Sequence, residues 1–283
     1  MKLPFQIDLK NKVAVVTGGG GVLCGTFAKA IAACGAKVAV LDLRKEAADK
    51  VAKEICADGG CAIGVSANVL EKASLDEAHD IILSELGSCD ILINGAGGNH
   101  PKGTTTKEYF EAGDRDLEGL TTFFDLDPAG IEFVFNLNFL GTLLPTQVFA
   151  QDMIGKKDAV ILNVSSMNAF CPLTKIPAYS GAKASVSNFT QWLAVHFSKV
   201  GIRVNAIAPG FFVTDQNRAL LFDENGNYSE RSKKIISQTP MERFGEKEEL
   251  IGALLFLLSG DAASFVNGIV LPVDGGFSAY SGV

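Results

Sequence analysis

The chain has 283 residues, a formal net charge of −7, a pI near 5.1 and six cysteines. Its length allows one large α/β domain or two small ones with a substantial core, and the acidic balance argues against nucleic acid as the main partner. The best apolar run, 251–258, suits a buried helix and is short of the roughly 18 residues of a membrane span, so no membrane partner is expected. Residues 1–8 lack a signal-peptide pattern, and Cys24, Cys34, Cys56, Cys61, Cys89 and Cys171 are scattered, with no histidine at metal-ligand spacing. The expectation is six reduced thiols, no metal and a cytoplasmic location.

Short apolar runs at 13–17, 37–42, 62–65, 91–94, 159–165, 203–209 and 268–273 read as strands. Helical patterns alternate with them at 22–34, 45–58, 71–86, 128–154, 179–200 and 247–259. This alternation predicts parallel βαβ units: an α/β fold in a single domain over 1–283, with a doubly wound parallel sheet of about seven strands and helices on both faces. Two long connections, near 98–127 and 211–245, begin just past strand C-terminal ends, where lids and substrate loops belong; surface elaboration is the alternative. The second contains the turn-rich stretch 223–228.

Three places carry chemistry. Thr17-Gly-Gly-Gly-Gly-Val-Leu-Cys-Gly25 follows the first strand and opens a helix, which suits backbone N–H groups held against a pyrophosphate. Asp42 ends the second strand, where a carboxylate can accept both ribose hydroxyls of an adenosine. It would repel a 2′-phosphate by about 1 kcal/mol in water and about 4 at an effective dielectric near 20, which favours NAD(H) over NADP(H). Arg44 and Lys45 could offset that repulsion but are placed to point to solvent. Ser166, Tyr179 and Lys183 form a Ser-x12-Tyr-x3-Lys series. Tyr179 and Lys183 share one helix face, so the ammonium is expected to pull the phenol pKa down and make it a proton carrier. Taken alone, that pair could equally be a surface i,i+4 contact.

Together these motifs resemble the short-chain dehydrogenase/reductase family over nearly the whole chain. The resemblance implies a Rossmann-like fold and a nicotinamide cofactor held by Gly18, Gly21, Val22 and Leu23 of the loop, Asp42, and Asn68-Val69 at the adenine. It adds Asn94, Ala96 and Gly97 of Asn94-Gly-Ala-Gly97 along the riboses, with Pro209, Gly210 and Thr214 at the nicotinamide. Val22 and Cys24 stand where the family has its second and third loop glycines, which leaves the loop path open. Asn138, Ser166, Tyr179 and Lys183 match the family's catalytic group, with Tyr179 and Lys183 also touching the cofactor. Asn136 and Ser165 are decoys by spacing. The family is commonly tetrameric, so a homotetramer is implied.

A narrower resemblance, through Gly98-Asn-His-Pro-Lys102 and Ser166-Met-Asn-Ala-Phe170, is to bacterial D-mannonate oxidoreductases of short-chain type. It implies a small sugar-acid substrate met by His100, Lys102, Asn168 and Arg218, with Lys175 and Gln216 completing a hydrophilic pocket. A solvated loop is the alternative for His100 and Lys102, and Arg243 reads as structural. His79 and His196 are expected on helix surfaces. Rival activities are a gluconate 5-dehydrogenase-like enzyme, a 3-oxoacyl thioester reductase, or a dinucleotide-sensing regulator without turnover.

Overall fold

Runs dominated by valine, isoleucine, alanine and leucine suit strands covered on both faces. The computed structural model describes residues 7–214 and 218–282 and gathers these runs into one sheet. Its strands are β1 (Val13–Thr17), β2 (Lys37–Asp42), β3 (Cys61–Ser66), β4 (Ile91–Asn94), β5 (Ala159–Val164), β6 (Ile202–Pro209) and β7 (Val270–Val273). They lie in the order β3-β2-β1-β4-β5-β6-β7, all parallel. The order reverses at β1, where Thr17 stands between Leu41 and Asn94. A crevice opens outside the strand C-termini at such a reversal.

The described helices are α1 (Val22–Ala33), α2 (Lys45–Ala57), α3 (Lys72–Glu85), α4 (Pro128–Phe135), α5 (Gly141–Met153), α6 (Pro177–His196), α7 (Arg218–Leu221), α8 (Glu230–Ser237) and α9 (Leu250–Leu258). Because strand side chains alternate, Ala14 and Val16 join a core with α1, α2 and α9, while Val13 and Val15 join one with α3, α5 and α6.

Most predicted boundaries hold within two residues, and the departures have local causes. The helix expected over 128–154 is interrupted by a π turn, Asn136–Leu140, between α4 and α5. Two features suit this break: the Asn138 amide donates to the Val134 carbonyl at 2.8 Å, and Pro145 inside α5 has no N–H for the carbonyl four residues back. By length and composition Pro128–Met153 could cross a membrane, unlike the shorter run singled out from sequence, but half of its most apolar window is buried within the fold. α6 starts at Pro177 rather than 179 because proline fits the first helical turn. α7 and α8 lie in a connection read as irregular; Ser229 caps α8 by accepting the Ser232 N–H, a signal the turn-rich 223–228 obscured.

Candidate active site

The glycine loop follows β1 in a tight turn. Gly18 has φ +64, in the region glycine adopts freely, and its carbonyl accepts the Gly21 N–H at 3.0 Å. α1 then begins with no side-chain cap, leaving first-turn N–H groups for an anion. Val22 and Cys24 lie in the first turn of α1, after the glycine turn of Gly18–Gly21. Cys24 is accommodated because residue 95 facing it is glycine: a Cβ at Gly95 would overlap the Cys24 sulfur. Burial pushes the Cys24 thiol up to about 12, so it stays protonated as a packing group. Thr17 Oγ1 accepts the N–H groups of Gly95 and Ala96 at 3.0 and 3.2 Å, tying β1 to the end of β4.

A cavity of about 570 Å³ runs along this crevice. It is lined by Gly18, Gly21, Val22, Leu23, Asp42 and Arg44 on one side, and by Ala96, Gly97, Ser166, Tyr179, Lys183, Pro209, Gly210 and Thr214 further along. Asp42 Oδ2 accepts the Gly20 N–H at 3.1 Å, and Oδ1 accepts the Arg44 N–H at 3.0 Å. The Arg44 side chain is largely exposed, as expected, at the rim of the cavity with Nε 3.9 Å from Asp42 Oδ1, while Lys45 pairs with Asp49. Asn68 is engaged locally, accepting from the Leu70 N–H at 3.1 Å and donating to Glu71 at 2.8 Å. Val69 is buried, and neither residue is among those lining the cavity. The uncapped helix start and the carboxylate beside the glycine turn fit a dinucleotide.

At the other end Gly97 forms a thin wall. A Cβ there would lie 2.6 Å from Asn138 Oδ1 and 3.1 Å from Lys183 Nζ. Asn138 is fully buried; its amide donates to the carbonyls of Gly98 (2.7 Å) and Val134 (2.8 Å), and its oxygen accepts the Gly98 N–H at 3.3 Å. Lys183 Nζ donates to the Val164 carbonyl at 2.8 Å and sits 5.7 Å from the centre of the Tyr179 ring. Beneath this group the Asn94 amide donates to Thr146 and Asn163, and the Asn163 amide donates to Thr190, all at 2.9 Å. This ladder ties β4 and β5 to α5 and α6, leaving Asn94 Oδ1 without a partner among the described residues.

The two serines both line the cavity but have different partners. Ser165 donates to or accepts from Ser187 (2.7 Å) and donates to the Lys183 carbonyl (3.2 Å), so it packs α6 onto the strand end. Ser166 Oγ accepts the Asn168 N–H at 3.2 Å and also bonds the Tyr179 phenol, lowering its pKa. The net direction for Tyr179 nevertheless corrects the sequence expectation. Burial raises the phenol above its ordinary value, because removing a phenolate from water outweighs the help of Ser166. Burial likewise lowers Lys183 to about 8. The protonated phenol is thus the resting form at neutral pH.

The predicted substrate residues are dispersed. His100 Nδ1 accepts the Lys102 N–H at 3.2 Å, and its ring packs 5.1 Å from Phe133. Lys102 pairs with Asp127 at 2.9 Å, and neither His100 nor Lys102 is among the cavity-lining residues. Arg218 lies over the Phe222 ring at 5.1 Å, lining a different cleft on the outer side of the glycine turn. Asn168 is buried beside Ser166, its side-chain oxygen unpartnered among the described residues. Lys175 has φ 73, and its carbonyl accepts the Thr105 N–H at 2.9 Å; Gln216 lies outside the described residues. Arg243 pairs with Glu249 at 2.7 Å. His196 is exposed, stacked on Trp192, but His79 is not a surface residue: it is half-buried, 3.0 Å from Asp152 and packed on Phe149. Sequence reading missed Phe211, which directly follows Pro209-Gly210 and lines the cavity.

The profile of the short chain dehydrogenase family matches residues 12–225. An uncharacterised oxidoreductase of Bacillus subtilis is 51% identical over 99% of this chain and 100% of its own. A Haemophilus influenzae protein solved with bound NAD, provisionally named a D-mannonate oxidoreductase, is 62% identical with a TM-score of 0.94, each chain covered in full. A Burkholderia cenocepacia gluconate 5-dehydrogenase solved with NADP and tartrate is 28% identical, with a TM-score of 0.81 and 98% of each chain covered. The glycine turn, the buried lysine behind Gly97 and these likenesses agree: the chain belongs to the short-chain dehydrogenase family and is an oxidoreductase acting on CH–OH groups.

Proposed function

We propose that this protein uses NAD(H), in preference to NADP(H), to interconvert a hydroxyl and a carbonyl on a sugar acid, with D-mannonate and D-fructuronate as the pair. The placement of Ser166, Tyr179 and Lys183 in one cavity with Asp42 carries the reading. The names of the Haemophilus and Burkholderia proteins, both for sugar-acid enzymes, support the substrate class.

Bound NAD(H) supplies the hydride donor or acceptor. Asp42 holds the adenosine ribose, the start of α1 the pyrophosphate, and Pro209, Gly210 and Thr214 the nicotinamide end. Tyr179 donates its proton to the substrate carbonyl in reduction and takes one from the hydroxyl in oxidation. Ser166 hydrogen-bonds that same oxygen, and Lys183 holds the nicotinamide ribose while passing protons onward. Asn138, whose amide fixes Gly98, places its oxygen beside Lys183 to hold the water that returns protons to solvent. The Phe189–Trp192–His196 stack, with Trp192 55% exposed, suits a subunit contact in a homotetramer.

The test is a panel of hexuronates, aldonates and polyols assayed with NAD(H) and NADP(H). Fructuronate turned over no better than gluconate analogues would overturn the specific assignment.

A further inference from the structure

A second cavity, of about 550 Å³, shares Phe211 with the first as a common wall. Apart from Phe277, its other walls come from three places. Cys171–Thr174 belong to the segment that joins Ser166 to Tyr179, Glu108 and Tyr109 to the first long connection, and Arg231, Lys234 and Ile235 to α8. Phe211 thus borders both the cavity that holds Tyr179 and this one, and is itself packed 5.3 Å from Phe277.

The charges in this cavity do not cancel. Lys234 is paired with Glu108, Nζ lying 3.0 and 3.2 Å from its two oxygens. That pair joins α8 to the first long connection. Arg231 is different: among the described residues no carboxylate pairs with it, and its neighbour Glu230 is committed to Lys233 at 2.6 Å. Among the described residues Glu108 is the one carboxylate lining the cavity, and Lys234 occupies it. An unpaired guanidinium is a planar fork matched to a carboxylate.

We infer that Arg231 is the specificity-determining residue that binds the substrate's carboxylate, so the preferred substrate is a polyhydroxylated chain whose acid group lies away from the reacting carbon. The inference rests on the sugar-acid reading above. The Glu108–Lys234 pair steadies the helix that presents Arg231.

The test compares wild type, Arg231→Ala and Arg231→Lys on the best sugar acid from the panel and on its neutral polyol, with NADH titrated in parallel. Loss of a hydrogen-bonded charge pair should raise KM for the acid about tenfold or more in Arg231→Ala, with kcat and NADH affinity little changed. The lysine variant should recover part of the loss, and the polyol should be indifferent to both changes. An unaltered acid KM in Arg231→Ala, or a loss of NADH affinity alongside it, overturns the role of Arg231. A wild-type enzyme with no preference for the acid over the polyol overturns the sugar-acid reading, and this inference with it.

Discussion

Gly95→Ala is the most exacting perturbation of the cofactor wall. The added methyl would overlap the Cys24 sulfur and stand 2.9 Å from the Thr17 carbonyl, in a packed interior where contacts run to about 3.5–4.0 Å. Overpacking of this kind costs about 1–3 kcal/mol, and the upper end applies because one neighbour is backbone. The Cβ of Cys24 lies 3.5 Å from the same point, an ordinary contact, so Cys24→Ala removes the main obstruction and leaves the carbonyl. By itself Cys24→Ala should cost about 1 kcal/mol for the lost buried sulfur. The double variant should then be more stable than the sum of the singles by about 1.5 kcal/mol or more. Urea unfolding at a fixed subunit concentration, with NADH titration by fluorescence, measures both terms. Additivity within about 0.5 kcal/mol would refute the account, since Cys24 could not then be what bars a side chain at 95.

Tyr179→Phe should abolish turnover in both directions while NADH binds nearly as before; retained activity would remove the phenol from the mechanism. Because burial raises the Tyr179 pKa, kcat/KM for oxidation should climb about tenfold per pH unit from pH 6 to 8, whereas reduction stays level; flat oxidation profiles count against it. Lys183, lowered to about 8 against a lysine's ordinary ~10.4, binds fewer protons folded than unfolded between those values. Folding therefore gains stability from this group as the pH rises through that window, and wild type should lose less stability than Lys183→Met between pH 7.5 and 10, by urea midpoint. Asp42→Ala should improve kcat/KM for NADP+ relative to NAD+ about tenfold, from the ~1–4 kcal/mol of charge repulsion removed; an unchanged ratio would shift the discrimination to Arg44.

The sheet was legible because the strands are short, mostly apolar runs that alternate with helix-length segments. The positions proposed as catalytic stood out because they sit on such elements at fixed spacing. Less was visible where the cause is a contact between distant residues. Cys24 looked like a flaw in the glycine loop until its partner at 95 was seen to be glycine. The raised Tyr179 pKa depends on burial, which a Tyr-x3-Lys spacing does not encode. His100 and Lys102 carry suitable chemistry, but their commitments to neighbours, the Lys102 N–H for His100 and Asp127 for Lys102, are local facts of a folded loop. Arg231 drew no notice because only the folding of α8 brings it to the cavity that Phe211 lines.

The Asn94–Asn163–Thr190 ladder has a mechanical consequence. Apolar faces tolerate sliding, since one methyl serves as well as the next; an amide and hydroxyl 2.9 Å apart do not. α5 and α6 are thereby indexed against the strands like teeth on a rack, and Asn138 and Lys183 inherit that index. Core substitutions should soften the protein broadly before they misalign its chemistry, whereas loss of one amide in the ladder could misalign it with little softening.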